Sequence, residues 1–157
     1  MIKFILAGLL ASTAIVNTAN ADFSEIGKFG TPANNPSAEE TSAEIIAATA
    51  DGMKLVYSDS PANALGMIDI TDPTNPKPLG SMDLGGEPTS VAIKNGQAYV
   101  GINTSKNYVE PSDHLLVVDL ASGKEVTKVE LGGQPDSVAV SPDGTFVAVA
   151  IENERNE

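Results

Sequence analysis

Carboxylates are the groups best placed to do chemistry in this 157-residue chain, which holds 21 acidic residues, 9 basic ones, one histidine and no cysteine. Asp59, Glu152 and Glu154 stand at the ends of apolar runs, as does Asn103. Glu87 and Asp136 belong to two Gly-Gly-x-Pro junctions. Hard oxygen donors of this kind suit Ca²⁺, which takes six to eight of them. Glu152 and Glu154 are two apart, so in a strand both point to one side. With Asp59 they are the candidate metal ligands. The competing reading of the same residues is a solvated acidic surface that keeps the protein soluble.

Nucleophilic catalysis finds less support. The stretch "NTSKNYVEPSDH" (103–114) gathers Tyr108, Glu110, Asp113 and His114 into one long loop, and loops on a rigid scaffold often serve binding. A single histidine does not assemble a Ser-His-Asp set reliably, and beside a strand start it reads as a packing or surface residue. Asp69 and Asp119 recur at matched strand ends, which suits a turn role better than a catalytic one. Gly85-Gly86 and Gly132-Gly133 are not phosphate loops, because no helix follows to supply amide donors. No catalytic residue and no organic-cofactor site is assigned.

These residues need elements to hold them. Three segments share one plan: "EIIAATADGMKLVYSDS" (44–60), "SVAIKNGQAYVGINTS" (90–105) and "SVAVSPDGTFVAVAIEN" (137–153). Each is an apolar strand, an Asp-Gly or Asn-Gly turn that supplies positive φ angles, and a second apolar strand. Val, Ile, Tyr and Phe dominate the flanks, as strands prefer. A second module follows the first two hairpins: "LGMIDITDPTNPKPLGSMDLGG" (65–86) matches "LLVVDLASGKEVTKVELGG" (115–133). All ten prolines fall outside the expected strand interiors. The unit is therefore four antiparallel strands in about 45 residues, repeated, which is the signature of a β-propeller. Strands such as "FVAVAI" (146–151) are apolar on both faces, as a blade sandwiched between blades requires. A β-sandwich would share the strand spacing but not the matched junctions.

The expected fold is all-β: a propeller of four-stranded antiparallel blades, present as an incomplete arc of about two and a half blades. Residues 1–21, "MIKFILAGLLASTAIVNTANA", read as a signal peptide: Lys3, an apolar run, and an Ala-x-Ala ending. Residues 22–43 read as a closing strand and a polar linker without a core of its own. The first blade spans 44–84, the second 85–131, and a third starts over 132–157. "FSEIGKFG" (23–30) resembles "KEVTKVEL" (124–131), an outermost strand, and would complete the last blade of a ring. Since propellers close with four or more blades, further C-terminal blades are expected partners.

A leader and Ala-x-Ala site imply a secreted or periplasmic protein with no membrane span after signal removal. The absence of cysteine leaves its stability to burial and backbone pairing. Its net charge of −12, one unit more negative without Lys3, argues against nucleic acid as a partner.

"GGQPDSVAVSPDG" followed by "VAVAIENERNE" resembles the exported bacterial propellers with YVTN-type repeats. The run from Ala43 to Ile93 is similar, more narrowly, to the N-terminal part of phytase-like or esterase-like propeller proteins, sometimes labelled alkaline phosphatases. The likeness covers most of residues 23–157. Tyr-Val-x-Asn survives only as "YVGIN", with Asn103 shifted by one. The resemblance implies metal-assisted phosphoester hydrolysis, with calcium on an acidic rim and a phosphorylated small molecule as substrate; no catalytic residue transfers. Since the repeat also occurs in non-catalytic surface proteins, the alternative is a propeller that binds or scaffolds an exported protein partner.

Overall fold

In a computed structural model, which describes residues 24–107 and 109–152, the chain forms three separate antiparallel sheets. The first holds β1 (Ile46–Ala48), β2 (Lys54–Asp59), β3 (Ala64–Asp69) and β4 (Lys77–Asp83) in that order. The second holds β5 (Glu87–Lys94), β6 (Gln97–Asn103), β7 (Asp113–Asp119) and β8 (Lys124–Glu130), again in chain order. The third is β9 (Gln134–Val140) paired with β10 (Val147–Glu152). These are two blades and the inner half of a third, in an open arc. One short 3₁₀ turn, Thr31–Ala33, precedes them.

Blades form because alternate side chains of each sheet need apolar cover on both faces. Val56 and Leu65 of blade 1 pack with Val91, Val100, Ile102, Leu116 and Val118 of blade 2 in one core. Each such side chain contributes about 1.5–3 kcal/mol when fully buried. In β7, residues 113–118 are all buried, so blade 2 is covered on both sides. The outermost strand β8 is exposed throughout.

The tight turns separate into two kinds. Asn95 and Gly96 have φ +52° and +76°, the paired positive angles of a two-residue hairpin. Asp51 and Asp143 do not share that geometry, contrary to expectation, and only Gly52 and Gly144 turn left-handed. Their carboxylates do the work instead: Asp51 Oδ1 accepts from the Thr49 hydroxyl (2.6 Å) and the Met53 amide (3.0 Å), and Asp143 accepts from Ser141 and Thr145. Prolines also depart from expectation. Pro78, Pro88 and Pro135 lie within β4, β5 and β9. All three strands are sheet edges, where an amide-free residue can face the unpaired side.

The N-terminal segment is more than a linker. A register shift in the β3–β4 pair leaves Met67 and Gly80 out of the ladder, with Gly80 at φ +90°. The Asn34 carboxamide fills that gap: its Nδ2 donates to Met67 O (2.8 Å) and its Oδ1 accepts from Gly80 N (2.9 Å). Nδ2 also donates to the Tyr57 hydroxyl (3.0 Å), and Asn34 is 7% exposed. Residues 24–30 are not in a strand, and Gly27 lies against Pro73. The expected signal peptide lies outside the described residues.

Candidate functional site

In each four-stranded blade the loop between second and third strands opens on one rim, together with the Gly-Gly-x-Pro junction. The longest such loop joins β6 to β7, whose ends pair through Asn103 and Asp113. Asp113 is 1% exposed and organises the loop base. Its Oδ1 accepts from the Ser105 hydroxyl (3.0 Å) and the Thr104 amide (3.3 Å). Ser105 Oγ in turn accepts from Ser112 N (3.1 Å), while Thr104 N donates to Ser112 O (2.9 Å). At the tip, Asn107 Oδ1 accepts from the amides of Val109 and Glu110, both at 2.9 Å. The loop thus presents Val109, 66% exposed, beside the Glu110 carboxylate. Tyr108 lies outside the described residues.

His114 is 6% exposed and pairs across the sheet with Ile102 and Glu130. Burial pushes its imidazole below the usual range, and Lys128 adds to the shift against the opposing pull of Glu130, Glu125 and Asp113. It is a packing residue, as its position beside a strand start suggested. Asp69 and Asp119 close turns: Asp69 accepts from Thr71, Asp119 from the Ser122 hydroxyl (2.6 Å) and amide (2.8 Å), and these bonds hold both carboxyls below the usual carboxylate range.

The acidic residues read as metal ligands take separate places. Asp59 is fully buried at the end of β2, where its Oδ1 accepts from Ser42 N (2.9 Å). Glu152 is exposed at the end of β10, with blade 2 between the two; Glu154 lies outside the described residues. Glu87 and Asp136 are exposed. Among the described residues, Asp59 Oδ2 and Asp113 Oδ2 are buried without a hydrogen-bond partner. Among the described residues, no three His, Asp or Glu side chains are grouped to hold a metal ion.

The described residues also form hollows away from this loop. On the opposite rim a cleft of about 750 Å³ between blades 1 and 2 is lined by Thr49, Asp51, Lys54, Ile93, Lys94 and Leu120, among others. A polar crevice of about 730 Å³ beside Pro61 is lined by Asn35, Ser37, Glu39 and Glu40. Among the described residues, no helix is long and apolar enough to cross a membrane. Sequence reasoning missed Asn34, and it missed Thr89, whose hydroxyl reaches Pro135 O (2.5 Å) across the seam to blade 3. The pairing of Thr89 with a junction proline in the next repeat was the available signal.

Successive antiparallel sheets packed face against face, sharing a loop rim and joined by matched junctions, define an arc of a β-propeller. The chain is similar to hydrazine synthase from Kuenenia stuttgartiensis, with 22% identity and a TM-score of 0.58, over 69% of this chain and 29% of that one. It is also similar to a functionally unknown protein from Desulfotomaculum acetoxidans, with 16% identity and a TM-score of 0.51, over 62% of this chain and 29% of the other. It therefore spans under a third of the length of either, and the likeness is one of fold. No curated protein matches the sequence. Residues 44–157 match the Choice-of-anchor I domain, and the chain belongs to that family.

Proposed function

We propose that the chain is part of an exported or cell-surface propeller that binds or scaffolds an exported protein partner through its loop rim. The observation that carries this reading is the 103–113 loop: a buried carboxylate fixes its base, and an apolar side chain stands 66% exposed at its tip. Loops held by a rigid scaffold lose little entropy on binding. Membership of the Choice-of-anchor I family supports a surface setting, and the signal-peptide reading of residues 1–21 supports export. The partner that fits is a protein with an apolar hollow bordered by basic groups, complementary to Val109, Glu110 and the −12 net charge.

A photo-crosslinking residue at position 109, in intact cells, tests the reading against the same residue at position 95 on the opposite rim. The expected result is one exported protein trapped at 109 and not at 95. Its purified form should then bind the native chain at least tenfold more tightly than Val109→Asp. Identical products at both positions, or equal affinities, would refute the binding role. Hydrolysis of p-nitrophenyl phosphate that a calcium chelator abolishes would favour the phytase-like reading instead.

A further inference from the structure

Blade 1 and blade 2 differ on the faces that should be equivalent. Leu84 N bonds to Asn63 O as Leu131 N bonds to Asp113 O, and Asp69 and Asp119 both end third strands, which aligns the two blades. In blade 2 the face turned toward blade 1 shows two cross-strand pairs, Val100 with Leu116 and Ile102 with His114. The corresponding pairs of blade 1 are Tyr57 with Gly66 and Asp59 with Ala64. A carboxylate stands where blade 2 has isoleucine, and glycine where it has leucine. Such a face is poorly made for an apolar neighbour, since an unpaired buried carboxylate is costly.

Yet Tyr57, Asp59 and Ala64 are at most 2% exposed, and among the described residues no blade lies against that face. Their cover is the N-terminal segment, which runs over the face from the Thr31–Ala33 turn. Asn34 ties it to Tyr57, Met67 and Gly80. Ser42 N donates to Asp59 Oδ1 over the face, and at Glu44 the segment joins the edge of the sheet, where Glu44 N donates to Ser58 O (3.1 Å) as a continuation of the β1–β2 ladder. On this face Asp59 Oδ1 thus meets a backbone amide and the Tyr57 hydroxyl meets one carboxamide, partners that a peptide supplies and an apolar blade does not, while Asp59 Oδ2 has no partner among the described residues. We propose that the outer face of blade 1 is a peptide-binding face whose occupant is residues 31–44, so that a last blade meets this segment and not the blade itself when a ring closes.

Amide hydrogen exchange on the full chain tests this. The Ser42 and Gly80 amides should be protected, and Asn34→Ala should speed exchange at both by tenfold or more, with Val100 and Leu116 unchanged. Asp59→Ile installs the side chain that blade 2 uses at this place. It should release the Ser42 amide, whereas Asp59→Asn, which keeps an acceptor oxygen, should hold it and shows that the position tolerates change. Ser42 exchanging at the free-peptide rate in the unsubstituted chain would overturn the proposal. So would Asp59→Ile leaving Ser42 as protected as before, because the face would then be suited to an apolar blade.

Discussion

Gly66→Ala is the most informative single substitution, because its cost isolates one contact. Gly66 sits opposite Tyr57 in the β2–β3 ladder, and a Cβ built on it would overlap the tyrosine ring at Cζ, Cε1 and the hydroxyl. Its φ is not positive, so alanine meets no backbone strain, and in a strand interior alanine is ordinarily favoured over glycine by about 0.5–1 kcal/mol. Any large loss must therefore come from the ring. Tyr57 is fully buried, so it has nowhere to swing without displacing its cover. Overpacking of that kind costs about 1–3 kcal/mol. Moving the hydroxyl also strains its hydrogen bond with Asn34, which contributes about 1 kcal/mol. Less the ordinary gain for alanine, the net cost of about 1–3.5 kcal/mol is a large share of the roughly 5–15 kcal/mol that holds a domain together. Urea denaturation followed by circular dichroism measures it. In a Tyr57→Val background the same substitution should turn stabilising by about 0.5–1 kcal/mol, giving a coupling above about 1 kcal/mol. A cost under about 0.5 kcal/mol, or equal costs in both backgrounds, would refute the assignment of this glycine to the ring above it.

Further outcomes follow from the loop, the seam and the histidine. Asp113→Asn keeps the acceptor for Thr104 and Ser105 and removes a buried charge, so stability should hold or rise; Asp113→Ala should cost about 1–3 kcal/mol and speed exchange of the Thr104 and Ser112 amides. Thr89→Val removes the hook onto Pro135 and should cost about 1 kcal/mol, read as faster exchange along β9 with blade 1 unaffected. His114 has a folded-state pKa below its ordinary 6.5, so the unfolded chain takes up this proton first. Stability should fall as pH drops from about 6.5 toward that lowered value, and His114→Leu should flatten this part of a pH titration of the denaturation midpoint.

How far the sequence discloses this molecule depends on whether the partners are local. Asn95-Gly96 is legible because a two-residue hairpin needs two positive φ angles and these residue types tolerate them. The blade repeat is legible because alternate apolar residues must be covered on both faces. Asn34 is not, since its partners Met67 and Gly80 are 33 and 46 positions away and are free only because the β3–β4 register slips. Asp59 could be picked out as a strand-end carboxylate, yet its burial beneath Ser42 depends on which face the N-terminal segment crosses. For the 103–114 loop, length signals a binding feature, but the serine and threonine bonds that stiffen it are ordinary polar residues until Asp113 gathers them.

The two seams are held differently, and this bears on the proposed binding role of the long loop. Between blades 1 and 2 the joint is an apolar core, with one hydroxyl bond from Ser60 to Pro88 O (2.9 Å) at its rim. Toward blade 3, polar hooks count for more: Thr89 reaches Pro135 O, and Ser90 Oγ accepts from Val138 N (3.0 Å). Beyond it, β10 pairs on one side only, with Phe146 62% and Ile151 42% exposed. Among the described residues, blade 2 is thus the blade with a neighbour on each face, and the long loop rises between its two middle strands. Under the binding role proposed above, rigidity at the loop base would lower the entropy lost when a partner covers the exposed valine. The same loop on blade 3 would stand on the sheet with the fewest neighbours, where its tip would move with a two-stranded hairpin and bind less tightly for the same contact area.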